Sequence, residues 1–337
     1  MASYTHDDYV IGWISALPIE SAAAVIMLDE EHASIPNIQG DKNCYYLGRI
    51  GPHNVVIACT NETGGVAAAI AATNLTRSFR NVQYILTVGT GGGIPSSKHQ
   101  IRLGDVVVSE PTGTCPGVVH SDVGVWDENG RFTTTGSLNR PAMGLLRAIG
   151  AVKREEIHVR SMIHSLLKHH KGGVSIDGPG TEIWKYQGRE NDPIYKQDAM
   201  LRQTNQDCTE CRGRGQQGPE AHAPDPRIHY GIIASGVQVI NNRGRRDKLG
   251  QQFGACCVET EAFGLMNYFP CLVIRGISSY ADGGKNGDWK GYASLTAAAY
   301  AKELLLQLVP VEMEDTSKGD SQSDLEQSYL VTSYDTA

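Results

Sequence analysis

The sequence predicts an α/β protein whose mostly parallel central sheet carries helices on both faces. Short apolar runs of strand length alternate with longer segments whose apolar residues recur at helical spacing, a pattern typical of parallel sheets. Two of these runs, near the C-terminus, end in polar residues capable of chemistry, at 259–261 and 278–282. Since ligands bind at the carboxyl ends of such strands, these two runs mark the candidate site.

The N-terminal part alternates strands and helices. Residues 10–16, with the sequence VIGWISA, are mostly apolar and predict a buried strand. Pro18 stands at a natural helix start and opens a predicted helix over 19–28. Residues 44–50 and 54–59 predict two further strands, which a hairpin-like turn joins.

The middle of the chain continues the alternation. Residues 64–79 are rich in alanine and predict an amphipathic helix. Residues 84–88 predict a strand that runs straight into the glycine-rich segment 89–93. A further strand is predicted over 105–109 and a helix over 141–149.

The C-terminal part repeats the pattern once more. A strand over 228–235 precedes a helix over 245–253, and two buried strands follow, one beginning at Cys256 and one over 271–277. An amphipathic helix over 289–308, dense in Ala and Leu, closes the predicted domain.

Two segments stand apart from this domain, which we expect to span residues 1–310. Residues 151–227 are interpreted as an insertion that begins with a helix over 155–168 and continues as a long irregular excursion. Residues 311–337 are acidic, rich in serine and aperiodic, which predicts a disordered tail.

The composition excludes several classes of partner. The chain has 337 residues, of which 40% are hydrophobic and 20% charged, as in soluble globular proteins. The segment 311–337 holds seven acids and one lysine, so it carries −6 of the formal net charge of −7. The near-neutral body therefore offers no electrostatic attraction for nucleic acid or an anionic membrane. Without a membrane-length apolar stretch or a secretory signal, a cytoplasmic protein is expected.

No metal ion or cofactor is expected. The eight cysteines are scattered, and in a reducing compartment they should be free thiols. Cys208 and Cys211 have half of a zinc-site spacing without a second pair nearby, and are interpreted as a structural or incidental loop pair. His164, His169 and His170 lack a carboxylate at ligand spacing and fit a solvated helix end.

Three groups of residues could carry chemistry. The glycine-rich segment 89–93 is either an amide nest for an anion or hydroxyl, or a tight connection, and it lacks a dinucleotide fingerprint. Glu20 is either an acid favoured by the helix dipole or a general base for water. Glu259 and Glu261 point the same way at a strand end, where a carboxylate can hold the vicinal hydroxyls of a ribose. One of these two acids is expected to be only a helix cap.

Six motifs in this order resemble the purine and uridine phosphorylase superfamily: IGWISALPIE, TVGTGGGIP, RLGDVVVSEPTG, IHYGIIASG, VETEA and VIRGISSYAD. They lie within residues 9–150 and 226–308. Among the branches of this superfamily, the sequence most resembles the fungal one, which is often found as the N-terminal domain of larger immune-receptor-like proteins. The resemblance implies a single three-layer α/β/α domain of the nucleoside phosphorylase type, with a mostly parallel or mixed sheet, and a homo-oligomer.

Within that superfamily the chain resembles nucleosidases more than phosphorylases. Glu20 matches the water-activating glutamate, and residues 16–20 lack the arginine of the phosphate loop of typical phosphorylases. Glu261 matches the ribose-binding acid. The other residues that the resemblance places around the sugar and base are Thr90, Gly91, Gly92, Val239, Ile240, Glu259 and Thr260.

Four positions near the base and sugar need comment. Val239 replaces an aromatic residue that stacks on the purine in bacterial relatives, and Thr260 replaces the methionine of the E-M-E-A motif. Ser279 stands where the family places the aspartic acid that protonates the purine N7, and losing a general acid costs about 10²–10⁴ in rate. Asp282 is retained, and either contributes through a water or caps the local structure.

These residues predict an enzyme that cleaves the N-glycosidic bond of a purine nucleoside or nucleotide, a small-molecule substrate, with water or phosphate as acceptor. Two alternatives stay open. In the first, the fold acts on another phosphorylated or diphosphorylated metabolite, such as a prenyl diphosphate. Its phosphates would meet the basic residues Arg243, Arg245, Arg246 and Lys248, which fit a solvated helix start at least as well. In the second, the protein is a catalytically inactive ligand-binding module.

Overall fold

Most of the predicted strands and helices form at their predicted places. The computed structural model describes residues 4–129, 132–168, 182–194, 226–284 and 287–310. In chain order its strands and helices are β1 (Ile11–Ser15), α1 (Pro18–Ile26), β2 (Glu30–Glu31), β3 (Cys44–Ile50), β4 (His53–Cys59), α2 (Gly65–Ser78), β5 (Tyr84–Gly93), β6 (Val106–Ser109), β7 (Val118–His120), β8 (Gly124–Trp126), β9 (Phe132–Thr134), α3 (Met143–Arg154), α4 (Glu156–Lys168), β10 (Ile228–Ser235), α5 (Arg243–Phe253), β11 (Ala255–Glu259), β12 (Cys271–Ser279) and α6 (Lys290–Leu306).

A mixed sheet forms the centre of the fold, in the order β11-β10-β6-β12-β5-β1-β4-β3-β2. The strands β1, β4, β5 and β12 run parallel, as do β6, β10 and β11, whereas β12 meets β6 in antiparallel fashion. β11 also pairs antiparallel with the end of β5, so β5, β12, β6, β10 and β11 close into a ring. The prediction of a mostly parallel or mixed sheet is confirmed.

Helices cover both faces of this sheet. α1, α3, α4 and α6 pack on one face, where Trp13 of β1 joins a core that includes Leu145 and Val159. α2 covers the other face, where Ile14 of β1 packs in the same core as Leu75. Trp13 and Ile14 belong to different layers because successive residues of a strand point to opposite faces. The predicted three-layer α/β/α architecture is confirmed.

The closing helix α6 is buried on most of its surface, so the prediction of an amphipathic helix over 289–308 is wrong in this respect. The helix packs against β5 and β12 and also against α1, α3 and α4, and alanines on several faces allow this close packing. Gly276 of β12 permits the closest approach, because a Cβ atom there would collide with the backbone oxygen of Ala293.

The glycine-rich segment 89–93 is part of β5, so it forms neither the amide nest nor the tight connection, the two possibilities left open by the sequence. β5 continues through Gly93, paired with β12 on one side and β11 on the other. A Cβ atom on Gly91 would lie 2.5 Å from the sulfur of Cys257. The glycines are therefore required by the close approach of neighbouring strands and side chains.

The segment predicted as an insertion begins inside the main core. α3 continues to Arg154, and α4 adds Val159 and Ile163 to the core on the α6 side of the sheet. Farther along this segment, Asp192 approaches the end of β12, where the buried hydroxyl of Tyr280 donates to its Oδ2 at 2.8 Å.

Some predictions fall on residues outside those that the structure describes. These are the interpretations of Cys208, Cys211, His169 and His170, and of the tail 311–337. Within the described ranges, no group of His, Cys, Asp and Glu side chains could hold a metal ion. Within the same ranges, no helix has the length and apolar character required to cross a bilayer.

Candidate active site

A cavity of about 200 Å³ opens at the carboxyl ends of β1, β5, β11 and β12. The carboxyl ends of β1, β5 and β12 share one edge because these strands are parallel, and β11 reaches the same place by pairing antiparallel with the end of β5. The predicted site residues that line this cavity are Glu20, Thr90, Gly91, Gly92, Val239, Ile240, Glu259, Thr260, Glu261 and Ser279.

Glu20 closes the first turn of α1 and also lines the cavity. Its Oε2 accepts hydrogen bonds from the backbone N–H groups of Ala16 and Leu17, both at 3.1 Å. Its Oε1 accepts from the backbone N–H of Thr90 at 2.7 Å and from the hydroxyl of Thr90 at 2.9 Å. Four donors therefore fix this buried carboxylate between the start of α1 and the end of β5.

Arg275 lies beneath the cavity and binds its carboxylates. The guanidinium Nη2 lies 2.5 Å from Oε2 of Glu259 and 3.0 Å from Oε2 of Glu261. A Cβ atom on Gly89 would lie 2.7 Å from both Arg275 Nη1 and the Glu20 carboxyl group, so glycine leaves the room that these two groups need. One buried cation thus stands among three carboxylates.

The pKa values of the two acids that bind Arg275 shift in opposite directions. Burial has the largest influence on both carboxyl groups and favours their neutral forms. In Glu261, Arg275 and the hydrogen bonds from Thr260 and Gly64 together outweigh burial and lower the pKa. In Glu259, burial prevails over Arg275 and, with the nearby Glu261 charge, raises the pKa. Glu261 is therefore the acid of the pair that is held ionised.

Glu259 and Glu261 also have different structural partners. Oε2 of Glu259 accepts from the backbone N–H groups of Glu261 and Ala262, both at 3.1 Å, and so caps the 3-10 turn Ala262–Gly264. Oε1 of Glu261 accepts from the hydroxyl of Thr260 at 2.7 Å and from the N–H of Gly64 at 3.1 Å. The capping acid of the pair is thus Glu259.

Ser279 ends β12 at the cavity, whereas Asp282 turns away from it. The hydroxyl oxygen of Ser279 accepts a long hydrogen bond of 3.5 Å from the N–H of Ala281. Oδ1 of Asp282 accepts from the N–H of Gly284 at 3.0 Å, as a turn cap does. Asp282 lines a second cavity of about 470 Å³ beside Arg246, so the structure does not bring it to the carboxylate cavity.

Two members of the basic run around the start of α5 line the second cavity. Arg246 is buried and pairs with Asp247 at 2.6 Å. Arg243 and Arg246 line the second cavity together with Asp247 and Asp282, so two acids balance two arginines there. Arg245 donates to a glutamine of the preceding loop at 3.0 Å.

The loop between β10 and α5 forms the outer wall of the carboxylate cavity. Val239 is 74% exposed at the rim, and Ile240 is half-buried. Oδ2 of Asp122 accepts from the N–H groups of Val237 at 2.6 Å and Gln238 at 3.3 Å and so anchors the loop. Asp122 belongs to no motif, and only the fold reveals its contact with this wall.

Several polar residues of the cavity were missed by sequence reasoning: Thr63, Gln238, Ser278 and Lys290. Within the described part of the lining, Lys290 is the side chain that carries positive charge. It is the first residue of α6, where the helix dipole favours acids. In the sequence, Lys290 could have been identified as a cation at the start of a predicted helix, where acids are usual.

The mixed sheet between helical layers matches the nucleoside phosphorylase and nucleosidase type of fold. A sequence profile of the Phosphorylase superfamily matches residues 10–309, and the chain belongs to that superfamily. The family resemblance seen in the six motifs is thereby confirmed.

Two related proteins share most of this chain. A nucleotide-binding leucine-rich repeat (NLR)-like protein of Hyaloscypha variabilis is 38% identical over 315 residues, which is 91% of this chain but 30% of that protein. A 5′-methylthioadenosine/S-adenosylhomocysteine nucleosidase of Mycobacterium bovis is 25% identical over 307 residues, which is 89% of this chain and 97% of the nucleosidase. The chain therefore spans under a third of the first relative and nearly all of the second.

Solved structures with the same fold include two from Helicobacter pylori. Futalosine hydrolase has a TM-score of 0.57 at 18% identity and covers 90% of this chain and 100% of its own. A 5′-methylthioadenosine/S-adenosylhomocysteine nucleosidase has a TM-score of 0.56 at 17% identity and covers 89% of this chain and 99% of its own. At these identities the likeness shows the fold alone.

Proposed function

We propose that this protein hydrolyses the N-glycosidic bond of a purine nucleoside or nucleotide. The observation that carries this proposal is that Glu20, Glu261 and Ser279 line one cavity of about 200 Å³. The similarity of this chain to a 5′-methylthioadenosine/S-adenosylhomocysteine nucleosidase over most of both chains supports the same type of reaction.

Glu261 is suited to hold the sugar. Its lowered pKa keeps the carboxylate ionised, and one carboxylate can accept hydrogen bonds from both vicinal hydroxyls of a ribose. Glycosidic cleavage passes through a cation-like sugar, which nearby carboxylates stabilise. Glu261 therefore both positions the sugar and favours its transition state.

Glu20 and Thr90 form the side of the cavity that would hold water. In the proposed reaction the bond between C1′ and N9 breaks with its electron pair moving onto the base. The water oxygen bonds to C1′, and its proton passes to Glu20. Because the described lining contains no arginine and a single lysine, water is a better-supported acceptor than phosphate.

The leaving base receives weaker help than a carboxylic acid would give. Ser279 can donate a hydrogen bond to the purine N7, but its hydroxyl is a weak acid. Losing a general acid costs about 10²–10⁴ in rate, so turnover is expected to be slow.

The test is base release. Purified protein is incubated with adenosine, inosine, 5′-methylthioadenosine or ATP, with and without phosphate, and the free base is quantified by chromatography. Release without phosphate supports hydrolysis, whereas dependence on phosphate replaces it with phosphorolysis. Glu20→Gln and Glu261→Gln should lower the rate at least about 100-fold, while the exposed control Glu155→Gln should not. No base from any substrate rejects the proposal.

Ligand binding without turnover is a second candidate, favoured by Ser279 at the base side of the cavity. Ser279→Asp restores a carboxylic acid at that position. If the variant releases base while the native chain does not, the native protein is a binding module or acts on another substrate, such as a phosphorylated metabolite. If neither chain releases base, the serine at position 279 does not explain the inactivity of the native protein.

A further inference from the structure

The charges around the carboxylate cavity are unbalanced. Glu20, Glu259 and Glu261 line it, whereas Arg275 lies beneath and already binds two of these acids. Lys290 brings the positive charge of the described lining. Among the residues described by the structure, no carboxylate lies within ion-pair distance of its ammonium group.

Lys290 lies at the end of β12 that carries the serines. In α6, Ala293 packs against Gly276 of β12, and α6 runs back along that strand. Lys290 is one helical turn before Ala293, which places it beside the last residues of the strand. Ser278 and Ser279 line the same cavity there.

A lysine at this position opposes the local electrostatics of the helix. The N-terminus of α6 carries the positive end of the helix dipole, and its first turn contains no acid. A cation is unfavourable there, and residues that break such local rules are concentrated at functional positions. The dipole and the ammonium group together make this wall of the cavity positive, as a departing anion requires.

We propose that Lys290 and Ser279 form the proton-donating pair that faces the base. This inference rests on the proposed hydrolysis. As the C1′–N9 bond breaks, its electron pair moves onto the base and the hydroxyl proton of Ser279 passes to N7. The ammonium group of Lys290 then returns a proton to the serine oxygen. The proton that Glu20 takes from water reaches the neutral lysine through solvent and closes the cycle.

The leaving group provides the first test. Lys290→Met is compared with native protein on inosine and on 4-nitrophenyl β-ribofuranoside, whose nitrophenolate leaves without a proton. The variant should lose about 10–100-fold in kcat on inosine and retain its rate on the nitrophenyl compound. Equal losses on both substrates, or no loss on inosine, would overturn the proposal. Lys42→Met, at an exposed position, serves as the matched control.

Base binding provides a second test that needs no turnover. Calorimetry compares adenine with 7-deazaadenine, which lacks the N7 acceptor. Native protein should bind adenine more tightly, and Lys290→Met and Ser279→Ala should each reduce the difference. If the native protein binds the two bases equally, or neither variant reduces the difference, the pair does not donate to N7. If the difference depends on Lys290 but no substrate releases base, the donor pair stands and the hydrolase proposal fails.

Folding of the variant can be checked directly. Lys290→Met removes a charge that the dipole of α6 disfavours, so its thermal midpoint should equal or exceed that of the native chain. A lower midpoint would assign Lys290 a structural role and would count against the proposal.

Discussion

The hydroxyl of Thr260 donates a hydrogen bond of 2.7 Å to Oε1 of Glu261. The same oxygen accepts from the N–H of Gly64 at 3.1 Å, and Arg275 holds the other oxygen at 3.0 Å. Three donors therefore orient Glu261. Thr260 thus adds a polar contact to this carboxylate.

Thr260→Val should shift the acid limb of the activity profile. The variant keeps the side-chain shape but removes the hydrogen bond that helps to lower the pKa of Glu261. A single hydrogen bond contributes about 0.5–1.5 kcal/mol, so the acid limb of kcat/KM should move up by about one pH unit or less. Thr260→Ser should keep the native limb. If the acid limbs of kcat/KM coincide for Thr260→Val and the native chain, the Thr260 hydroxyl does not lower the pKa of Glu261.

Arg275→Met should destabilise the fold strongly. The change leaves Glu259 and Glu261 buried without their cation, which costs about 3–5 kcal/mol in free energy of unfolding measured with urea. The loss should be smaller at pH 5 than at pH 8. Without the arginine, both carboxyl pKa values rise in the folded state, which then binds protons more readily than the unfolded chain as the pH falls.

A surface ion pair gives the matched control for this prediction. Arg49 and Glu30 lie 3.0 Å apart with 42% and 48% of their side chains exposed. Arg49→Met should therefore cost only about 0–1 kcal/mol, with little pH dependence. A similar loss for the two variants would show that Arg275 does not act through buried charge.

Gly89→Ala should disturb the site while leaving the sheet pattern in place. The added methyl would lie 2.7 Å from both the Glu20 carboxyl group and Arg275 Nη1, so one of them must move. Both the activity and the free energy of unfolding of this variant should fall. Gly150→Ala, in α3, meets no atom within 4 Å and should instead raise stability by about 0.5–1 kcal/mol. Native activity in the Gly89 variant would contradict the tight placement.

The strands and helices could be predicted because their signal is local. β1 and the first four residues of β12 are short runs dominated by apolar residues, and α2 has the spacing of a helix face. The extension of β5 through Gly93 could not be predicted in this way. Glycine has no intrinsic preference for strands, and the extension depends on pairing with β11, more than 150 residues away in the chain.

The site divides along a similar line. Glu20, Glu261 and Ser279 were found because each belongs to a motif, and the fold brings them to one cavity. Arg275 stands in such a motif, but its role depends on which strand ends lie beside β12. Asp122 belongs to no motif and acts through hydrogen bonds across the fold. Its contribution could be recognised only from the structure.

Asp122→Ala should weaken substrate binding more than it slows chemistry. Asp122 accepts two backbone hydrogen bonds from the loop that carries Val239, so the variant frees one wall of the cavity. Losing about 1 kcal/mol of loop order corresponds to a rise in KM of roughly five- to tenfold. Asp7→Ala, at an exposed position, is the control. A fall in kcat at constant KM would assign Asp122 another role.

The unfolding free energy should fall as the pH drops below about 7. Burial lowers the pKa of four described histidines, His32, His53, His99 and His120. The unfolded chain protonates its histidines near pH 6.5, before the folded chain does. It therefore binds more protons in this range, and stability is lost as the pH falls toward the folded pKa values.

His53 should account for part of this slope. It is 2% exposed, and its Nε2 lies 3.1 Å from the backbone oxygen of Leu308, which the neutral ring can satisfy as a donor. A glutamine amide can donate to the same oxygen without titrating. Urea unfolding of the native chain and of His53→Gln at pH 7.5, 6.5 and 5.5 should show a shallower decline in the variant. Parallel declines would show that His53 titrates alike in the folded and unfolded chains.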